Sequence, residues 1–139
     1  MNDQDIEQEI QAKGLTAPRV TPADIEADIA SEHYFTAADG VAGYHPAIHS
    51  LIGGASAKAL AEWDDRRGKV DASVPPSLRL LTFCVLVLKN GFTVTGESAC
   101  ASPENFDADL GRKIARQNAV SKMWPLMGYA LKERLANGN

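Results

Sequence analysis

No stretch of this chain approaches the roughly 20 consecutive apolar residues that a membrane-spanning helix requires. Positive charge is the minority sign. Lys and Arg number 14 against 18 Asp and Glu, a net charge of −4, so no global basic field draws the chain to DNA or to an anionic membrane. The N-terminal MNDQDIEQEI is acidic and polar, with neither the basic nor the apolar region of a signal peptide. The expectation is a cytoplasmic protein.

Metal ligands and nucleophiles are equally sparse. His45 and His49 are four apart, but no Glu follows the first and Pro46 disturbs a helical geometry. No nearby Cys or carboxylate supplies a third ligand. Ser98, in Gly-Glu-Ser-Ala-Cys, has Gly96 before it but Cys100 where a nucleophile elbow needs a second glycine. All three histidines precede it, so no base follows in the chain. No metal, no cofactor and no enzymatic activity are expected.

What is present suits one domain with a modest core: 139 residues, 45% of them apolar. Residues 2–13 form a short polar helix by pattern, with Ile6 and Ile10 on one side and Gly14 ending it. Its thin apolar stripe suggests a loosely ordered segment over residues 1–19. Thr21, Pro22 and Asp24 open a better helix, as cap, first position and capping box. Ile25 and Ile29 define its face, which His33 or Tyr34 continues. Residues 41–78 are rich in Gly, Ala, Pro and Ser, with a short helix over 56–67, and read as an insertion on the core.

The most informative stretch is residues 80–106. Residues 80–88 are apolar on both faces, as in a strand buried on both sides, and a partner subunit is one way to cover the second face. Asn90-Gly91 is a strong signal for a two-residue type I′ hairpin turn. A hairpin symmetric about that turn sets Cys84 opposite Glu97 and Cys100 opposite Leu81. The two thiols then lie on opposite faces and stay reduced. In the second strand Phe92, Val94 and Gly96 face one way, and Thr93, Thr95 and Glu97 the other.

A loop of small residues then leads into a helix. Ser102, Pro103 and Glu104 make one opening, and Asp107 or Asp109 another one turn later. Phe106, Leu110 and Ile114 recur at helical spacing, and Pro125 breaks or kinks the helix after Trp124. The fold expectation is α+β: an N-terminal helix, a small antiparallel sheet with its hairpin at Asn90-Gly91, and a long Pro-kinked C-terminal helical segment. The loop delivers backbone N–H groups to a helix N-terminus, where an anion is held readily. Asn105 and Phe106 at that mouth are a cap and a first core residue, or else a carboxamide and a ring that meet a base. Arg112, Arg116 and Lys122 are either a solvated face paired to acids or a phosphate-binding set, even across a subunit boundary.

The segment KNGFTVTGESACASPENFDADLGRKIARQNAVSKMWPLMGYALKERL closely resembles a family of small tailed-phage and prophage proteins. The matching motifs are NGF, TGESAC, the P-x-N-F loop, GRKIAR, the Trp-Pro-Leu break and, upstream, SEHYF at the end of a helix. The resemblance covers residues 20–40 and 79–135. It implies kinship with the first Thoeris anti-defence protein, a sponge that traps cyclic ADP-ribose isomers without cleaving them. Cyclic di- or trinucleotides bind some such proteins at a separate site, and they assemble as hexamers built from dimers. What the resemblance implies here is a homo-oligomer in the infected bacterial cytoplasm with a ligand loop at 98–106. That loop brings Ser98, Ala99, Asn105 and Phe106, flanked by Phe92 and Glu97 and served by Arg112, Arg116 and Lys122. The alternative is a structural or regulatory phage protein that works by protein–protein contact.

Overall fold

The structure is a computed structural model that describes residues 2–43 and 74–138. The sequence-predicted helix at 56–67 and the His45 and His49 pair lie outside the described residues. Helix α1 spans Asp3–Ala12, α2 Pro22–Ala27, strand β1 Ile29–Thr36 and helix α3 Ala37–Gly43. After a 3-10 turn at Pro76–Leu80 come β2, Leu81–Leu88, and β3, Thr93–Ala99. A second 3-10 turn, Pro103–Asn105, leads to helix α4, Ala108–Ala136. The fold is α+β, as the sequence indicates.

The caps are local and follow from residue type. Thr21 accepts from the Asp24 amide at 3.1 Å, and the Asp24 carboxylate accepts from the Thr21 amide at 2.9 Å. But α2 ends at Ala27 and does not run on toward Tyr34. The SEHYF segment is a strand, not a helix end. Its alternation puts Glu32, Tyr34 and Thr36 on one face and Ser31, His33 and Phe35 on the other. Tertiary pairing decides this: β1 hydrogen-bonds to β2 through most of its length and supplies partners for one backbone edge of that strand. Ala30 is the extra residue of a bulge between Ile29 and Ser31.

The sheet is antiparallel in the order β1-β2-β3, with β2 central. Its hairpin is closed by three residues. The Leu88 amide donates to the Phe92 carbonyl at 2.8 Å, and the Gly91 amide to the Leu88 carbonyl at 2.8 Å. Asn90 does not have a positive φ; Gly91 does, at +88°. A type I′ turn needs φ > 0 at both central residues, so this is the longer hairpin with glycine at its left-handed position. The extra residue moves the register by one. Cys84 faces Gly96, not Glu97, and the Cys100 amide donates to the Leu80 carbonyl. Both cysteines are free, Cys84 buried and Cys100 half-buried.

Helix α4 lies across the sheet and runs antiparallel to β3, with Gly111 against Thr82 and Ala115 and Ala119 against Gly96. Its buried stripe is Gly111, Ala115, Ala119 and Met123. The sequence-predicted stripe of Phe106, Leu110 and Ile114 does not form the core, since Leu110 is 53% and Ile114 38% exposed. Small residues win because the helix comes so close. A Cβ on Gly96 would lie 2.9 Å from Ala119 Cα and press on the Ala115 carbonyl oxygen and the Ala119 amide. Around this contact pack Ile25, Cys84, Leu86, Leu88, Val94 and Met123. α4 continues as one element through Pro125, which leaves the Ser121 carbonyl without its usual i+4 amide.

Gly96→Ala is expected to lower unfolding stability by about 3 kcal/mol, the upper range for overpacking, because the obstructing atoms are backbone. Gly128→Ala, where an added Cβ meets nothing within 4 Å, is expected to raise it by about 0.5–1 kcal/mol. Urea unfolding of the two variants checks the contrast.

Candidate functional site

The nine sequence-predicted ligand residues do not form one cluster. Phe92 sits at the hairpin, 55% exposed, whereas Ala99 ends the same strand seven residues on, roughly 20 Å away at the rise of a strand. Ser98 pairs with Thr82 inside β3 and stands on no elbow. Asn105 is exposed, its amide donating to the Ser102 carbonyl at 3.1 Å. Phe106 is half-buried beside Gly111. The Cys100 thiol turns to the Ser102 carbonyl at 3.1 Å.

Each of the three helix cations meets a carboxylate. Arg112 pairs with Asp109 one turn away. Lys122 Nζ lies 4.0 Å from the Glu97 carboxylate, and Asn118 donates to the Glu97 carbonyl at 2.8 Å. Arg116 spans two elements, reaching Glu26 on α2 at 2.7 and 3.0 Å and Glu32 on β1 at 3.2 Å. Glu32 in turn accepts from the Tyr34 hydroxyl at 2.8 Å. Burial, then that hydrogen bond, pushes the Tyr34 pKa up, and burial likewise raises that of the Cys84 thiol behind it. At the mouth of α4 the Leu110 amide is directed to the Asp107 carboxylate at 3.0 Å, and Asp109 adds a second negative charge. The Leu110 amide at the N-terminus of α4 and Arg112 at the loop end are therefore met by the chain's own carboxylates.

The other end of the sheet differs. The Lys89 amide donates to the Asp28 carbonyl at 2.9 Å, tying the hairpin to the end of α2. Between these and the last turns of α4 runs a groove of about 430 Å³. Lys89 and Asn90 line it from the hairpin; Met127, Leu131 and Arg134 from α4; Asp24 from α2 and Asp28 from its C-cap; and Arg19 and Val20 from the segment before α2. Neither Lys89 nor Arg134 ion-pairs with any described residue. Arg19 is bound by the buried Glu7 of α1, one of its nitrogens lying 2.7 Å from Oε2. The hydrogen bond from Arg19 holds the Glu7 carboxyl below its usual range. Sequence spacing could not reveal this groove, since its cations come from positions 19, 89 and 134, which only the fold brings together.

A model built for a family of phage proteins matches residues 20–135, from the approach to α2 to the last turn of α4. The chain belongs to the N4 Gp49/phage Sf6 gene 66 family of phage proteins. Comparison with curated proteins and with solved structures gave no match. The matched span of this phage-family chain includes the hairpin, Gly96 and the groove residues Lys89 and Arg134; α1 lies before it. Among the described residues no group of three or more His, Cys, Asp or Glu is placed to hold a metal ion, and no helix is long and apolar enough to cross a membrane.

Arg116 is the tie whose loss is easiest to read. The hydrogen bond from Arg116 depresses the Glu26 pKa from its ordinary 4.5. A depressed folded-state value means the stabilisation is full above the unfolded pKa and is lost as pH falls through the folded one. Arg116→Gln is expected to cost roughly 1 kcal/mol near neutrality, a value kept small by solvent screening. The gap between wild type and variant should close below about pH 4.5, which thermal melts across an acid series would show.

Proposed function

We propose that this phage protein is a non-enzymatic binder of a small phosphorylated signal, which it sequesters without cleaving. The observation that carries this reading is the groove at the hairpin end, where Lys89 and Arg134 form no ion pair among the described residues and Met127 and Leu131 add apolar lining. In a protein of net charge −4, two cations that share a concavity with Asp24 and Asp28 yet form no ion pair with them can turn to an incoming anion. A cyclic ADP-ribose isomer or a cyclic di- or trinucleotide has the required phosphates and size. In the infected bacterial cell such trapping would disarm an immune signal, an anti-defence role that accords with membership of a phage family.

A second reading has its own observation. Leu81, Phe83, Val85 and Val87 turn away from α4 on the far face of β2, each half-buried, and Phe83 stacks on Phe35 with ring centroids 5.4 Å apart. That face suits contact with a second copy of the chain, or a role by protein–protein contact alone. Light scattering that shows a monomer at micromolar concentration would remove contact with a second copy.

Titration with cyclic ADP-ribose isomers and cyclic oligonucleotides, followed by heating and recovery of the ligand, tests the main reading. Intact recovered ligand is the expected result, and a degraded one would make the protein an enzyme. Lys89→Ala and Arg134→Ala should each weaken binding about tenfold, as for loss of one charge-assisted hydrogen bond, with affinity falling as salt rises. Arg112→Ala and Phe106→Ala should leave affinity within about twofold. If those two changes abolish binding instead, the ligand belongs to the loop at 98–106.

A further inference from the structure

Next to the groove, and sharing Arg19 and Val20 with it, is a smaller pocket of about 170 Å³. Its apolar walls are Trp124 of α4, Ile6 and Ile10 of α1, and Val20 and Pro22, with Asp3, Glu7 and Arg19 also lining it. An apolar cavity of about 150 Å³ takes a benzene ring, so this one has room for a single planar ring system. The Trp124 ring is oriented by its own hydrogen bond, Nε1 donating to Asp3 Oδ2 at 3.1 Å. Arg19 stands at the junction of the two cavities. Both terminal nitrogens of its guanidinium bond Glu7, which fixes the plane while leaving further N–H donors unused.

We infer that this pocket is a ring subsite, and that the ligand of the groove is a nucleotide whose base lies against Trp124 while its phosphate meets Lys89 and Arg134. The inference rests on the groove reading above and deepens it. Three features converge on that ligand class. The pocket accepts a flat apolar body of limited size and offers an aromatic face. The groove holds Lys89 and Arg134, neither of them ion-paired among the described residues. Arg19 lies where a sugar would join the two, with donors available to hydroxyl or ester oxygens. At the pocket edge Glu7 is taken up by Arg19 and Gln11 and Asp3 Oδ2 by Trp124, which leaves Asp3 Oδ1 to accept a hydrogen bond from an exocyclic amino group.

The test compares three probes on the full chain by calorimetry: inorganic phosphate, ribose 5-phosphate and adenosine monophosphate. The monophosphate is expected to bind about tenfold tighter than ribose 5-phosphate, as base–aromatic stacking provides. Fluorine NMR of 5-fluorotryptophan protein, with the Trp63 signal assigned by Trp63→Phe, should show the Trp124 resonance shifting with the nucleotide and staying fixed with ribose 5-phosphate. Trp124→Ala risks misfolding, so Ile6→Phe, at a position 44% exposed, serves as the plugging variant. It should bring the nucleotide down to the affinity of ribose 5-phosphate and leave the latter unchanged. Equal affinities in the wild type, an unmoved Trp124 resonance or a nucleotide preference that survives Ile6→Phe would each overturn the inference. Ribose 5-phosphate binding that ignores Lys89→Ala and Arg134→Ala would overturn the groove reading itself. Absence of binding by all three probes would overturn both.

Discussion

The close approach of α4 to Gly96 sets the terms for the rest of the molecule. With no side chain at 96, the helix backbone rests on the centre of β3, and Ala115 and Ala119 are fully buried beneath it. Dispersion and burial then act over the short distances at which they are strongest. A helix seated that closely has to keep its large side chains off the contact line. Met123 enters further along, while Leu110 and Ile114 stay at the flanks. The same seating holds α4 beside α2 and β1, where Arg116 crosses to Glu26 and Glu32. One missing Cβ thus decides both the core and the ionic frame around it.

The two ends of the sheet have been treated differently by the chain. Near the start of α4, Arg112, Arg116 and Lys122 each meet a carboxylate, while Lys113 stands exposed. Near the hairpin, Lys89 and Arg134 form no ion pair among the described residues, though Asp24 and Asp28 share the groove. Arg134 also complements the C-terminal dipole of α4. Lys89 has no comparable structural duty, because its role in holding the hairpin to α2 falls on its backbone amide. This asymmetry distinguishes a charge that stabilises from one that is available.

Much of the fold was legible from local chemistry. The caps at Thr21 and Asp107, the hairpin near Asn90-Gly91 and the long C-terminal helix all follow from residue types that act on their immediate neighbours. The errors share one cause: each needed a partner from elsewhere in the chain. Residues 31–35 look helical after α2, until β2 is there to pair with them. Asn90-Gly91 fits a two-residue turn equally well, and the choice of three moves every cross-strand partner by one place. The stripe of Gly111, Ala115 and Ala119 is hidden because hydrophobic spacing favours the larger Phe106, Leu110 and Ile114. Within one chain the residues joined by motif are spread out: Phe92 lies at the hairpin away from the loop, and Arg112, Arg116 and Lys122 meet acids of the same chain.

The hydrogen bond between Trp124 and Asp3 joins positions 121 residues apart. Loop-closure entropy grows with the length enclosed, so this contact is costly to make unless nearer ones have already shortened the path. The hairpin closes across three residues, and α4 folds back directly onto the strand before it. Assembly in that order brings Trp124 to its place before α1 arrives. The contacts of α1, through Asp3 and the Glu7–Arg19 pair, then form on a surface already in place, and α1 is expected to be the last element to dock. Its opening would precede global unfolding, so the amides of α1 would exchange with solvent sooner than those of β2.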